Sequence, residues 1–341
     1  MGASLTETRT LFHFRCEKRA LKKRSLYIIL FSMISHILIF AVAFLLVIRG
    51  ATLATKYAAS FAESLRLSTY AVGFIIIAII SILPETFIAI NAALTGIPEF
   101  GLGMLLGSNV ADLTLIFALV VLFSGRHIAV EQKILKNHVL YPLILLLPIV
   151  LGLDGHFSRV EGIALILAGL IFYYLALRNE KRIERTAHTT KVKYKSLILL
   201  LLSLAVLLLG AHFTVSSASD IASSLGVSPV LIAMLIVGLG TTMPELFFSL
   251  KSMRDKNDSL AVGDILGTVL ANATIVIGIL AIINPFAFPT KMIYIGGIFM
   301  VAASVILFSF MRSGRKLTSM EAYALIIFWL TFVMVELIVN A

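Results

Sequence analysis

The 341-residue sequence is 60% hydrophobic and only 13% charged, with 28 Lys and Arg against 18 Asp and Glu for a formal net charge of +10. That apolar fraction excludes an ordinary soluble domain and fits a multi-span membrane protein. The positive balance does not point to nucleic acid, because the bases sit in short links between apolar runs, and the one cysteine, Cys16, cannot form a disulfide within the chain.

In chain order, residues 1–25 form a basic tail. The run from Leu26 to Ile48 has the length of a membrane span rather than of a signal peptide, so no cleavable leader is expected. Met1-Gly2-Ala3-Ser4-Leu5-Thr6 fits a myristoylation pattern that is read as chance. Four more apolar segments follow: Thr69 to Leu94, Phe100 to Phe123, Ile134 to Leu153 and Val160 to Leu177. The link Arg178 to Ser196 carries seven basic residues and two Glu, and it marks the boundary between halves. The second half supplies Leu197 to Ser216, Ser228 to Leu250, Leu260 to Ile283, Met292 to Met311 and Met320 to Val339. The expected units are thus 1–25, 26–177, 178–196 and 197–341. The expected fold is an all-α integral membrane protein whose ten transmembrane helices form two five-helix repeats. An odd number of spans per half forces the second repeat to enter from the opposite side, so the repeats are inverted.

Loop charge gives an orientation. Arg126, Lys133 and Lys136 follow the third segment, the 178–196 link follows the fifth, Lys251, Arg254 and Lys256 follow the seventh, and Arg312, Arg315 and Lys316 follow the ninth. All four loops fall on one side, which is assigned to the cytoplasm of a cell membrane. The opposite loops offer only Arg159 and Lys291. The basic tail would then lie on the outer side, against the rule that places the other loops.

Two motifs recur at one offset. Ser81-Ile82-Leu83-Pro84-Glu85 returns as Thr241-Thr242-Met243-Pro244-Glu245, and 245 − 85 = 160. Gly107-Ser108-x-x-x-Asp112 returns as Gly267-Thr268-x-x-x-Asn272, and 272 − 112 = 160. An acid inside an apolar span is costly and is a functional hypothesis by default. Each proline removes a backbone donor and clashes one turn back, which predicts carbonyls freed near Ile80 and Gly240. Carboxylates, carbonyls and the hydroxyls of Ser81, Thr241 and Thr242 make an all-oxygen donor set, suited to a hard cation such as calcium. The absence of His or Cys beside these acids argues against zinc or copper. Ser108 with Asp112, and Thr268 with Asn272, are four residues apart and share a helix face, so each pair can aim two oxygens at one point. The glycines before them predict close helix packing.

These paired motifs resemble the two α repeats of the calcium/cation antiporter superfamily, with the sodium/calcium exchanger branch most similar. The resemblance covers nearly the whole chain and is specific in the second, third, seventh and eighth segments. It implies alternating access, with the first and sixth helices sliding past the other eight. It implies Glu85 and Glu245 as shared calcium and sodium ligands and Ser81 and Thr241 as further oxygen donors. It places Ser108, Thr242 and Thr268 at flanking sodium sites, and Asp112 and Asn272 in the central polar layer. Two departures stand out. Ile82 replaces a hydroxyl residue usual in the family, and the order Asp112 then Asn272 reverses the arrangement common in prokaryotic sodium exchangers.

If ionised, Glu85, Glu245 and Asp112 supply three negative charges. Three sodium ions would balance them, and one calcium would leave a single charge for a proton on Asp112. The expected function is export of cytosolic calcium in exchange for sodium, with a calcium/proton exchanger of the same architecture as the alternative. Calcium, sodium or protons and the lipid bilayer are the expected partners; no nucleic acid, resident cofactor, obligate protein partner or enzymatic activity is expected. Bland readings compete at several positions: hydroxyls back-bonding their own helices, Asn91, Asn109 and Ser249 as packing groups, and Glu321 and Glu336 as interfacial acids.

Overall fold

The computed structural model describes residues 33–50, 52–53, 57, 82–130, 139–178, 194–256 and 258–340. The basic tail, Ser81, Lys133, Lys136 and most of the central link lie outside the described residues. The helices are α1 (Met33–Gly50), α2 (Leu83–Leu94), α3 (Pro98–Ser124), α4 (Leu140–Leu151) and α5 (Arg159–Arg178), then α6 (Tyr194–Leu225), α7 (Pro229–Arg254), α8 (Asp258–Ile283), α9 (Thr290–Arg312) and α10 (Ser319–Asn340). Seven of them are long and apolar enough to cross a membrane by length and composition, while α2 and α4, as described, are shorter apolar helices. The protein is therefore a helical membrane protein, and where both are described the apolar segments of the sequence and the helices coincide within a few residues. The exception is α6, a 32-residue helix that runs well past the expected Ser216.

The 160-residue offset governs secondary structure as well as sequence. Leu83–Leu94 matches Met243–Arg254, Pro98–Ala111 matches Asp258–Ala271, and a π-turn at Asp112–Ile116 matches one at Asn272–Val276. Helices α5 and α10 begin with the same reciprocal cap. Glu161 accepts from the Ser158 N–H and hydroxyl at 2.7 and 2.8 Å, and Glu321 accepts from those of Thr318 at 2.7 and 2.9 Å. Glu321 is thus a capping residue.

Four two-residue strands tie the halves together. β1 (Ile128–Ala129) pairs antiparallel with β4 (Lys316–Leu317), and β2 (His156–Phe157) with β3 (Phe286–Ala287). Each pair takes one strand from each half. The β1–β4 pair lies at the start of α8, where the Ala129 N–H donates to Asp258 at 2.8 Å. β3 follows the other end of that 26-residue helix, roughly 39 Å away at 1.5 Å per residue. Equivalent strands β1 and β3 therefore sit at opposite ends of one helix. At the Asp258 end, Arg126 donates to the Met253 carbonyl at 2.5 Å and the Val130 N–H donates to the Arg315 carbonyl at 3.0 Å. Three of the four basic loops expected to share a side thus meet there. Arg159 and Lys291 belong to the Phe286 end, close to β2 and β3.

The interior centres on α3 and α8, of which 83% and 78% is buried, whereas α1 is 17% buried and presents Leu38, Val42 and Leu45 outward. Helices α1 and α6 cross at small residues: a β-carbon on Gly210 would stand 2.9 Å from the Val47 amide, and one on Gly50 2.9 Å from that of Leu207. His36 and Asp220 pair at 3.2 Å between the same two helices. Glu336, expected at an interface, lies one turn before the end of α10, is 1% exposed and accepts from the Asn340 amide at 2.6 Å.

Candidate cation site

Proline sets the local geometry of both motifs. Ile82 and Thr242, which precede the Leu-Pro-Glu and Met-Pro-Glu turns, have nearly identical backbone angles, φ −83° and ψ −1° against φ −79° and ψ −2°. In α7 this residue divides the helix, so that a fresh helical turn starts at Met243 and places Glu245 within it. Helix α2 begins the same way, with Glu85 in its first turn. The N-terminal end of a helix carries partial positive charge, which favours the carboxylates held there. The two helical pieces run apart: α2 ends where the Asn284 amide donates to the Ala93 carbonyl at 3.0 Å, beside β3, and α7 ends at the Asp258 face. Glu85 and Glu245 therefore lie at the starts of oppositely directed helices.

The described predicted site residues Glu85, Ser108, Asp112, Thr241, Thr242, Glu245, Thr268 and Asn272 are all at most 1% exposed. Ser81 lies outside the described residues. Glu85, Asp112 and Glu245 are close enough for their charges to act on one another. Both oxygens of each of these carboxyls, both polar atoms of the Asn272 amide and the Thr268 hydroxyl have no hydrogen-bond partner among the described residues. No Lys or Arg is buried among the described residues. Nor do three His, Cys, Asp or Glu side chains there group tightly enough to hold a metal alone. An ion held here would use two carboxylates with hydroxyl, amide and carbonyl oxygens, a donor set that fits calcium or sodium.

The hydroxyls fall into two groups. Thr241 donates to the Gly238 carbonyl at 3.0 Å, Thr242 to Leu239 at 2.7 Å and Ser108 to Leu105 at 3.1 Å. These back-bonds leave the lone pairs of each hydroxyl oxygen available to the cavity. The Thr241 hydroxyl lies beside the Glu85 carboxylate, to which it can also donate. The carbonyl of Gly240, expected to be free, receives the Thr242 N–H instead; Ile80 lies outside the described residues. Asn109, read as a packing group, donates to the Met300 sulfur at 3.3 Å.

The spacing argument missed three features. Thr114 donates to the Val110 carbonyl at 2.5 Å and Thr274 to Leu270 at 2.7 Å, and 274 − 114 = 160. Each holds the π-turn that starts at Asp112 or Asn272; the recurrence Asp-x-Thr and Asn-x-Thr was the available signal. Tyr141 and Tyr173 donate to the Leu266 and Gly267 carbonyls of α8 at 2.7 and 2.6 Å. Asp264, 5% exposed on α8, adds a fourth carboxyl whose charge reaches Glu85, Asp112 and Glu245. Its signal was an acid inside an apolar run, but the repeat comparison passes over it because its mate is Met104.

A family profile of sodium/calcium exchanger proteins matches residues 35–178 and 195–338, which is most of both halves. The chain belongs to the sodium/calcium exchanger family. This exchanger-family chain is 31% identical over 244 residues to the putative antiporter CaxA of Alkalimonas amylolytica, covering 67% of this chain and 74% of that protein. It is 21% identical to the sodium/calcium exchanger MaX1 of Methanosarcina acetivorans, over 88% of this chain and 98% of that one. Among solved structures it resembles the sodium-calcium exchanger NCX_Mj, with a TM-score of 0.62 and 23% identity over 88% of this chain and 98% of that one. It also resembles the H+/Ca2+ exchanger CAX, with a TM-score of 0.71 and 17% identity over 89% and 86%. At these identities the two structures establish a shared fold.

Proposed function

We propose that this chain is a secondary antiporter of the cell membrane that exports cytosolic calcium in exchange for sodium by alternating access. The observation that carries the reading is the pair Glu85 and Glu245: buried, without a basic partner among the described residues, and at the starts of oppositely directed helices. Family membership supports it. In this reading ten spans form two inverted five-helix repeats, and the 178–196 link is cytoplasmic. Glu85 and Glu245 bind calcium and sodium in turn, with Thr241 and Ser81 as further donors. Ser108, Thr242 and Thr268 line flanking sodium positions, and Asp112 and Asn272 complete the central layer. Competition for one pair of carboxylates enforces exchange, because an empty pocket with several unbalanced charges is too costly to reorient. The tight crossing of α1 and α6 supports their moving as a unit. The chain needs no resident cofactor or obligate protein partner and catalyses no covalent reaction.

A second reading, calcium/proton exchange, has one specific observation in its favour. Ile82, where the family usually has a hydroxyl, packs against the hydrophobic core, so one sodium donor is missing. Calcium-45 uptake into proteoliposomes separates the two. Uptake driven by an outward sodium gradient at equal pH supports sodium coupling. Uptake driven only by a pH gradient supports proton coupling, and none under either gradient removes the antiporter reading.

A further inference from the structure

Thr268 differs from its mate Ser108. Ser108 donates to its own helix at the Leu105 carbonyl, 3.1 Å away, as hydroxyls inside helices commonly do. The Thr268 hydroxyl, equally buried, has no partner among the described residues. The backbone around it is held on both sides. One pin is Tyr141 on α4, whose hydroxyl donates to the Leu266 carbonyl at 2.7 Å. The other is Thr274, whose hydroxyl donates to the Leu270 carbonyl at 2.7 Å. In a helix the Leu270 N–H bonds the carbonyl four residues back, that of Leu266. The two pins are therefore one turn apart, and Thr268 sits midway between them.

The second pin recurs in the first half, where Thr114 donates to Val110. The first pin does not recur. Adding 160 to 141 gives Val301, whose side chain has no proton to donate. Tyr141 itself is 3% exposed, and its ring packs between Phe172 of α5, edge-on at 6.2 Å, and Phe308 of α9 at 5.2 Å. Helix α5 also lies hard against α8. A β-carbon on Gly169 would overlap the Thr274 hydroxyl, and one on Gly162 would stand 2.7 Å from the Gly278 carbonyl. The backbone that carries Thr268 is thus fixed from outside its own helix.

The oxygens of Thr268 and Asn272 carry no formal charge. Burying a divalent ion calls for carboxylates, whereas a monovalent ion costs less to desolvate and can be held by neutral oxygens beside them. A hydroxyl kept off its own backbone has its lone pairs free for such an ion.

We infer that Tyr141 is a positioning residue for Thr268: it aims that hydroxyl at a sodium ion and so sets the sodium affinity of the second-half flanking position. The inference rests on the sodium-coupled reading above. It makes the two flanking positions unequal, since Val301 supplies no matching bond.

The test reads ion affinity as the rise in melting temperature of purified protein in detergent when sodium or calcium chloride is added, with choline chloride holding the ionic strength. This readout needs no turnover. In Tyr141→Phe the half-effective sodium concentration should rise roughly fivefold, the scale of one hydrogen bond, while that for calcium should change less than about twofold. In a Thr268→Val background Tyr141→Phe should add less than about twofold for sodium, because the group it positions is gone. Equal losses for both ions, no loss for sodium, or full additivity with Thr268→Val would overturn the assignment. If Tyr141→Phe is not monodisperse, Tyr141→Met takes its place; failure of both to fold would make Tyr141 a packing residue and likewise overturn it. The calcium-45 experiment above separates this inference from the reading beneath it. Wild-type proteoliposomes that exchange calcium only for protons would remove both. Sodium-driven uptake in wild type, together with unchanged affinities in Tyr141→Phe, would remove the role of Tyr141 alone.

Discussion

Gly107 on α3 and Met234 on α7 meet backbone to backbone. A β-carbon on Gly107 would overlap the Met234 carbonyl, and one on Gly238 would stand 2.8 Å from the Met104 carbonyl and 2.9 Å from the Ser108 amide. This reciprocal contact sets Ser108 and Asp112 of one helix against Thr241 and Glu245 of the other. Gly107→Ala should therefore force the helices apart. Overpacking of this kind costs about 1–3 kcal/mol, and the expected result is a lower melting temperature in detergent with a loss of transport larger than the loss of folded protein.

Glu85→Gln and Glu245→Gln each keep shape and volume while removing a buried charge. Exchange should fall at least about a hundredfold, consistent with loss of a primary carboxylate ligand worth several kcal/mol. Melting temperature without calcium should hold or rise, because a neutral amide is cheaper to bury than an unpaired carboxylate. A normal calcium-45 flux in either variant would remove these residues from the pathway.

Thr114 and Thr274 hold the two π-turns through their hydroxyls. Thr→Val at either position keeps the shape and removes that bond, at about 1 kcal/mol. Apparent calcium affinity should weaken several-fold, and Thr→Ser should recover it. A fall in stability with unchanged affinity would show that the hydroxyls support the helix without positioning Asp112 or Asn272.

Arg126 grips Asp258 through two bonds of 2.8 and 2.6 Å, joining the end of α3 to the start of α8. The hydrogen bonds to Asp258, helped by the charge of that carboxylate, stabilise the charged guanidinium of Arg126 and hold its pKa above the usual range. A double-mutant cycle with Arg126→Gln and Asp258→Asn should give a coupling of about 1 kcal/mol, limited by the exposure of Arg126 and reduced further at high salt. Zero coupling would reduce the pair to a surface contact.

The Pro-Glu breaks were readable before any fold was known, because proline acts on its own helix within one turn. The membrane class and the placement of the helices were readable for a similar reason: twenty apolar residues in a row require lipid or a core wherever they lie. The repeat was readable because both halves retain the same short motifs. What could not be read was the state of each oxygen. Thr241 and Thr268 look equivalent as residue types, yet one lies in reach of the Gly238 carbonyl and the Glu85 carboxylate and the other has no partner among the described residues. That difference depends on where neighbouring backbone carbonyls point.

The chain alone thus determined that two acids lie within apolar segments at prolines that break helices, since hydrophobicity and backbone sterics are local. Only the tertiary structure decided that Glu85, Glu245 and Asp112 share one electrostatic neighbourhood, that Asp264 joins them without a repeat partner, and that Glu336 is enclosed. Those facts follow from helix crossings such as Gly107 on Met234, where residues more than a hundred positions apart are pressed together. No spacing rule within a helix encodes that approach.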